Sequence, residues 1–346
     1  MDILNNAVIT NDCIRASVDV SEEELLSFCV ENGDILFQRS SETLEDVGRA
    51  NVYMDNKPAV FGGFVIRGKK KAEYDPLFFR YLLASPFARK KIIPMGAGAQ
   101  HFNIGQEGLN KVKLHFALLD EQKKIARLLS LLDERIATQN KIIDKLQSLI
   151  KGISNRLLYA DNSMSIRIEE MLIERSERTK KNNQYEILSS TVNGIFSQRD
   201  YFSKDIASDN NVGYKIIHLH DIVLSPQNLW MGNINFNDKF DIGIVSPSYK
   251  VFSIADGFDK KYVAALLKTH HALYNYMLVS EQGASTVRRN LNYEAFEQLV
   301  FKIPSLNKQQ EIGHVISLLK SQLENANLLI KTYNSQKQFM LRQMFI

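Results

Sequence analysis

The chain repeats itself over a long interval, and this limits its fold more than any other feature. Leu119 through Ile143 lies on Leu306 through Ile330 without a gap, so Gln122 meets Gln309, Ile125 meets Ile312 and Ser130-Leu131-Leu132 meets Ser317-Leu318-Leu319. Asn140 meets Asn327 at the same interval, which also pairs Asp34-Ile35 with Asp221-Ile222, Ala97 with Ala284 and Asn103 with Asn290. A period this long is too large for a solenoid unit and implies two copies of a whole domain, each followed by a helix. A chain ordered domain, helix, domain, helix has two equivalent heads, which suits a target with two parts.

The expected fold class is therefore α+β. Two tandem domains, residues 1–118 and 161–305, are separated and followed by long helices, 119–160 and 306–346, that pair as an antiparallel coiled coil. With 346 residues, each head is large enough to bury a core. There is no long apolar run and no basic-then-apolar start, so neither a membrane span nor a signal peptide is expected. Cys13 and Cys29 have no metal-ligand spacing and no counterparts in the second half, which fits reduced thiols in a cytoplasmic protein.

The helices are read from their period. From Ile125 onward, apolar residues recur at alternating steps of four and three. Leu129, Ile136, Ile143, Ile150 and Leu157 occupy one seam position; Ile125, Leu132, Gln139, Leu146 and Ile153 occupy the other. The second copy places Ile316, Leu323, Ile330, Lys337 and Met344 beside Ile312, Leu319, Ala326, Tyr333 and Met340, a seam expected to weaken where Lys337 interrupts it. Chain order makes any pairing within the chain antiparallel, and forty residues of helix span roughly 60 Å. Gln139 and Ala326 lie near the seam centres, either as a register pin or as a tolerated polar position in a wet seam.

Each head reads as strands, a helix, a loop and a last strand. In the first these are strands within Val52–Val65, a helix over Pro76–Lys91, the loop Met95–Asn103 and a strand over Lys111–Phe116. In the second, strands around Tyr214–Leu224 and Ile242–Phe252 precede a helix over Asp259–Met277, a loop and a strand near Leu299–Ile303. The loops share a Gly-Ala-small opening and a closing Asn, but their polar residues differ: Gly96, Gly98, Gln100, His101 and Asn103 against Ser285, Thr286, Arg288, Arg289 and Asn290. Glycine allows close backbone approach, while Arg, Asn and Gln carry the donor and acceptor patterns that read guanine and adenine edges. A second candidate surface follows each Asp-Ile pair: Gln38, Arg39 and Ser40 in one head, Gln227, Asn228 and Trp230 in the other. Taken singly, such residues more often just make turns. Two copies of one scaffold with different polar tips are expected to read two different sequences.

Charge adds a local argument only. Residues 1–118 hold 14 basic and 15 acidic side chains, so a nucleic-acid surface must be local, at Arg67 to Lys71, with Arg67, Lys69 and Lys70 as candidates, and at Arg89-Lys90-Lys91. A charge run alone is more often a solvated face. Enzyme motifs are absent: Phe61-Gly62-Gly63-Phe64 lacks the Lys-Ser/Thr of a phosphate loop, and Ser246-Pro247-Ser248-Tyr249 lacks the leading amide or carboxylate and second proline of an amino-methyltransferase motif. His218, His220, His270 and His271 form no ligand pair with an acidic base, and no metal site is expected.

Leu119-Asp120-Glu121-Gln122-Lys123-Lys124-Ile125-Ala126 with Leu129, Leu132-Asp133 and Ile136 resembles the conserved-region signature of type I restriction-modification specificity (S) subunits. Ile303-Pro304 through Ile312 resembles it too, and Gly33-Asp34-Ile35-Leu36-Phe37 is similar to a strand of that family's target-recognition domains. The resemblance implies a non-catalytic DNA reader with one half-site per domain, docking two methyltransferase (M) subunits, and with restriction (R) subunits in the full complex. S-adenosylmethionine, ATP and Mg would belong to those partners, leaving no cofactor in this chain. Gln122, Ile125, Leu129, Leu132, Ile136, Gln139 and Ile143, with Gln309, Ile312, Ile316, Leu319, Leu323, Ala326 and Ile330, are the candidate helix-pair and partner-binding residues. Two departures stand out. The first head lacks the roughly 25 residues that open the second, expected to include a helix over Ile168–Arg178, and Lys308 stands where Glu121 would repeat. The shortened head gives a runner-up reading: a scaffold or antagonist that binds M subunits without reading DNA.

Overall fold

The computed structural model describes residues 2–156, 164–201, 210–282 and 288–345. The chain divides into two compact units, Met1–Lys141 with Asn327–Ile346, and Ile142–Ala326. The long helices, Leu119–Arg156 and Leu306–Gln343, are each divided between the two units.

In the first unit, a three-stranded antiparallel sheet runs Ala50–Val52, Ile35–Gln38, Val65–Gly68, with Ile35 opposite both Val52 and Gly68. The expected helix over 76–91 is two helices, Pro76–Ala84 and Pro86–Ile92, broken at Ser85. Asp75 caps the first by accepting the Phe78 N–H, and Ser85 caps the second through Ala88 while donating to the Leu82 carbonyl. Proline at the first helical position suits both starts. Phe78, Tyr81 and Leu82 pack on Ala126 and Leu129 from the first long helix and on Leu341 and Phe345 from the second. Early residues of one helix meet late residues of the other, so the pairing is antiparallel.

The second unit follows the same plan with a fourth strand. Its sheet runs Ile234–Phe236, Ile222–Leu224, Lys250–Ile254, Leu172–Arg175. Helices Lys260–Leu266 and His270–Leu278 are capped by Asp259 and Thr269, and Thr269 donates to Leu266 as Ser85 does to Leu82. These caps are 184 residues apart, three fewer than the interval between Asp34 and Asp221, so the repeat holds a three-residue length difference that the sheet-to-helix connection absorbs. Ile153 of the first long helix and Ile312 and Ile316 of the second pack on this core.

The heads depart from expectation at matching places. Lys111–Phe116 is not a strand; a short helix, Gln106–Lys111, is followed by irregular chain. Its counterpart Val300–Ile303 is a strand because Met164–Arg167 pairs with it, from Ile303 opposite Met164 to Val300 opposite Arg167. The expected helix over Ile168–Arg178 is instead a single turn, Ile168–Met171, between two strands. Among the described residues the first head has no counterpart of these two strands. Its N-terminal residues lie elsewhere: Ile9 bridges Tyr53, and Asn51 donates to the Ile3 and Asn6 carbonyls. The edge of Val65–Gly68 that matches the one paired with Leu172–Arg175 has no partner strand among the described residues.

Candidate nucleic-acid interface

The aspartate of each repeated Asp-Ile pair is a buried structural anchor. Asp34 accepts the Glu31 N–H at 2.8 Å, and Asp221 accepts the His218 N–H, also at 2.8 Å. Asp34 is 1% exposed and binds Arg67 Nε at 2.6 Å, while burial pushes the Asp221 carboxyl above its usual range despite Arg175 at 3.5 Å. Arg67, at 11% exposure, thus turns inward to neutralise Asp34 and is not free for phosphate, a correction to its expected role. Lys69 and Lys70 are exposed, with Glu31 and Glu73 as surface partners at 3.5 and 3.2 Å.

The two candidate surfaces of the first head are one surface. Ser40-Ser41 pairs with Phe102-Asn103, Ser40 Oγ meets Asn103 Oδ1 at 2.5 Å, and Asn103 exchanges both backbone bonds with Ala97. Gly98 sits at φ +144°, where a Cβ would lie 2.0 Å from the His101 carbonyl oxygen, so only glycine closes this loop. Gly96 packs against Val47 and is half-buried. Gln38 folds back to the Ser40 carbonyl, leaving Arg39, Gln100, His101 and Asn103 exposed at the tip. Phe64 stands beside them, 78% exposed, its carbonyl accepting the Arg39 N–H. Sequence reasoning missed it; the signal was an aromatic directly after Gly62-Gly63.

The second head joins its surfaces differently. Arg289 donates its backbone N–H to the Gln227 carbonyl at 3.1 Å, lays its guanidinium 4.8 Å from the Trp230 ring and donates from Nη1 to the Met277 carbonyl. This side chain clamps loop to turn, while Arg288, Asn290 and Gln227 stay exposed. Asn228 is a turn residue whose carbonyl accepts from Met231 and Asn233. Ser285 and Thr286 lie outside the described residues. A buried net beneath the turn, in which Asn235 donates to Ser190 Oγ and the Thr191 carbonyl and Asn233 donates to the Ser190 carbonyl, fixes its frame. No sequence motif marked this net.

On the helices, the seam residues Leu129, Leu132, Ile316 and Ala326 are buried. Ile125, Ile136, Gln139, Ile143, Ile312, Leu319, Leu323 and Ile330 are half-buried. Gln122 and Gln309 do something else. Gln122 Oε1 accepts the Asp75 N–H at 3.0 Å and its Nε2 donates to the Ala117 carbonyl; Gln309 does the same with Asp259 and Pro304. Both are buried latches between head and helix. Lys308 pairs with Glu311 on the surface and leaves its latch intact. Among the described residues, no group of three or more His, Cys, Asp or Glu is placed to hold a metal, and no helix is long and apolar enough to cross a membrane.

Residues 2–148 match the type I restriction modification DNA specificity domain. Over 143 residues the chain is 29% identical to a type I restriction enzyme MjaX specificity subunit of Methanocaldococcus jannaschii, covering 40% of this chain and 33% of that protein. The chain thus matches about a third of the length of that relative. The type I restriction-modification S subunit of M. genitalium superposes with a TM-score of 0.57 at 14% identity, over 92% of this chain and 84% of that one. The HsdS subunit of Thermoanaerobacter tengcongensis gives a TM-score of 0.45 at 12% identity, over 91% and 81%.

The first head lies within the matched residues, and the second repeats its strand order, helix caps and glutamine latch. Residues 2–148 thus match a type I restriction modification DNA specificity domain, and the chain shares the fold of the M. genitalium S subunit.

Proposed function

We propose that this chain is the non-catalytic, sequence-reading subunit of a type I restriction-modification complex in the cytoplasm. Each head reads one half of a bipartite site in double-stranded DNA. The observation that carries this reading is one repeated frame bearing unlike tips: Arg39, Gln100, His101 and Asn103 on the first head; Gln227, Arg288 and Asn290 on the second. Exposed side chains of these types supply base-edge readout, and Lys69 and Lys70 supply phosphate attraction. The helix pair docks two methyltransferase subunits, and restriction subunits join that assembly. S-adenosylmethionine, ATP and Mg belong to those partners. Long-read methylome sequencing of a host expressing the chain with its cognate M subunit tests the reading; a new split adenine-methylation motif is expected.

The open sheet edge in the first head supports one alternative: a scaffold or antagonist that holds M subunits without reading DNA. An intact M complex with no new motif selects that alternative.

A further inference from the structure

The two units contain equivalent clefts between the head's helix pair and the long helix arriving from the other repeat. In the first unit this cleft, about 400 Å³, is lined by Arg80, Tyr81, Ala84, Lys337, Gln338 and Leu341 among others. In the second it is about 310 Å³ and is lined by Ala265, Lys268, Thr269, Ile150, Lys151 and Ser154, with Lys320 and His270. Tyr81, Ala84 and Ser85 recur as Ala265, Lys268 and Thr269; Lys337, Gln338 and Leu341 recur as Ile150, Lys151 and Ser154.

Both are lined by cations, but they differ at one repeated position. Beside the first cleft one carboxylate ties two of its lining cations, while Arg49 pairs with Asp46 and Arg89 donates to the Glu45 and Val47 carbonyls. Asp133 accepts from Lys337, from Arg80 at 3.2 Å and from the Tyr81 hydroxyl at 2.8 Å. The residue repeating Asp133 is Lys320, so the second unit has an ammonium where the first has a carboxylate. Lys151, Lys268 and Lys320 converge on its cleft, and among the described residues none of them has a carboxylate within ion-pairing distance. Among the described residues, Lys268 donates to the Gly232 and Val192 carbonyls, at 2.7 and 3.3 Å. Burial, with Lys320 nearby, lowers its ammonium to about 8. Asp238 and Glu324 act on Lys320 at longer range, and Glu324 pairs with Lys239.

Lys268 is half-buried while Lys151 and Lys320 are exposed, and like charges that line one cleft repel unless an anion joins them. We propose that the cleft formed by Lys151, Lys268 and Lys320 binds a phosphate group, filling the role that the Asp133 carboxylate has in the first unit. The phosphate is either a free anion or one from a nucleic-acid backbone.

The full chain is compared as wild type, Lys320→Asp, which supplies the missing carboxylate from within, and Lys151→Gln, an exposed change that preserves the fold if the first variant does not. In one arm, inorganic phosphate is titrated at constant ionic strength against chloride, with melting temperature and phosphorus NMR line width as readouts. Saturable binding is expected in the wild type, weakened at least about tenfold in Lys320→Asp and less in Lys151→Gln. In the other arm, duplex DNA affinity is measured against salt; a slope shallower by about one in the variants identifies the DNA backbone as the source. Loss in the first arm alone identifies a free anion, and that arm does not depend on the DNA-reading proposal. Absence of saturable phosphate binding, together with identical salt slopes for all three proteins, overturns the assignment.

Discussion

Lys337, a cation on the apolar seam of the second long helix, is ion-paired with Asp133 of the first. The ammonium lies 2.5 Å from Asp133 Oδ1, and both side chains are 23% exposed. The expected weak point of the seam is thus a cross-helix tie. Burial tends to raise the Asp133 carboxyl, but Lys337, Tyr81 and Arg80 outweigh it and hold the group below its usual range. A carboxylate held low in the folded state contributes stability above its unfolded pKa, and that contribution is lost as pH falls through the folded value. Asp133→Asn should therefore cost about 1–3 kcal/mol at pH 7, with the gap to wild type closing on acidification below about pH 4. Calorimetry across that window checks it; a gap that persists at low pH contradicts the ion-pair account.

Arg67 and Lys70 lie three residues apart and should fail differently. Arg67→Ala leaves the buried Asp34 carboxylate without its nearest cation, a loss of about 3–5 kcal/mol by analogy with broken buried pairs. Lys70→Ala should leave stability within about 0.5 kcal/mol of wild type and weaken DNA binding at every sequence alike, with a shallower salt slope. Denaturant melts beside binding isotherms separate the two.

Arg288 and Arg289 should likewise divide. Arg288→Ala should relax one base position at a cost of about 1–3 kcal/mol. Arg289→Ala removes the Trp230 clamp and should lower affinity for all sequences by disordering the loop. A binding selection with each variant shows whether one base preference is lost or all are weakened together.

His220 takes φ +74° at the position that Gly33 fills, at φ +93°, in the first head. A side chain in left-handed backbone costs about 1–3 kcal/mol, and here stacking on Phe236 at 5.6 Å offsets part of it. His220→Gly should be neutral to about 1 kcal/mol stabilising, whereas Gly33→Ala should destabilise by about 1 kcal/mol or more. Gly33 has open space for a Cβ, 3.6 Å from Pro76, so a loss there reports backbone strain and not a clash. Thermal melts of both variants decide it.

Among the described residues Val65–Gly68 has a partner strand on one side only, while Lys250–Ile254 is paired on both. Amide exchange should be faster in the first strand than in the second, at native pH and without denaturant. Equal protection would mean that pairing on one side alone does not weaken this strand.

The sequence by itself determined what is periodic or local. The doubling, both long helices and their seam are set by spacings within a few turns of chain, where each residue carries its own preference. Tertiary structure decided what needs a distant partner. The stretch 111–116 has a strand's composition but forms none, because a strand exists only when another satisfies its backbone, as Met164–Arg167 does for Val300–Ile303 across more than a hundred residues. Gln122 and Gln309 carry the repeat's clearest signature, yet only the folded head shows them reaching back to Asp75 and Asp259. Arg67 looked like a phosphate contact until Asp34 lay 2.6 Å away. A polar side chain's partner is chosen by what the fold brings within a few ångströms, and that depends on residues far along the chain.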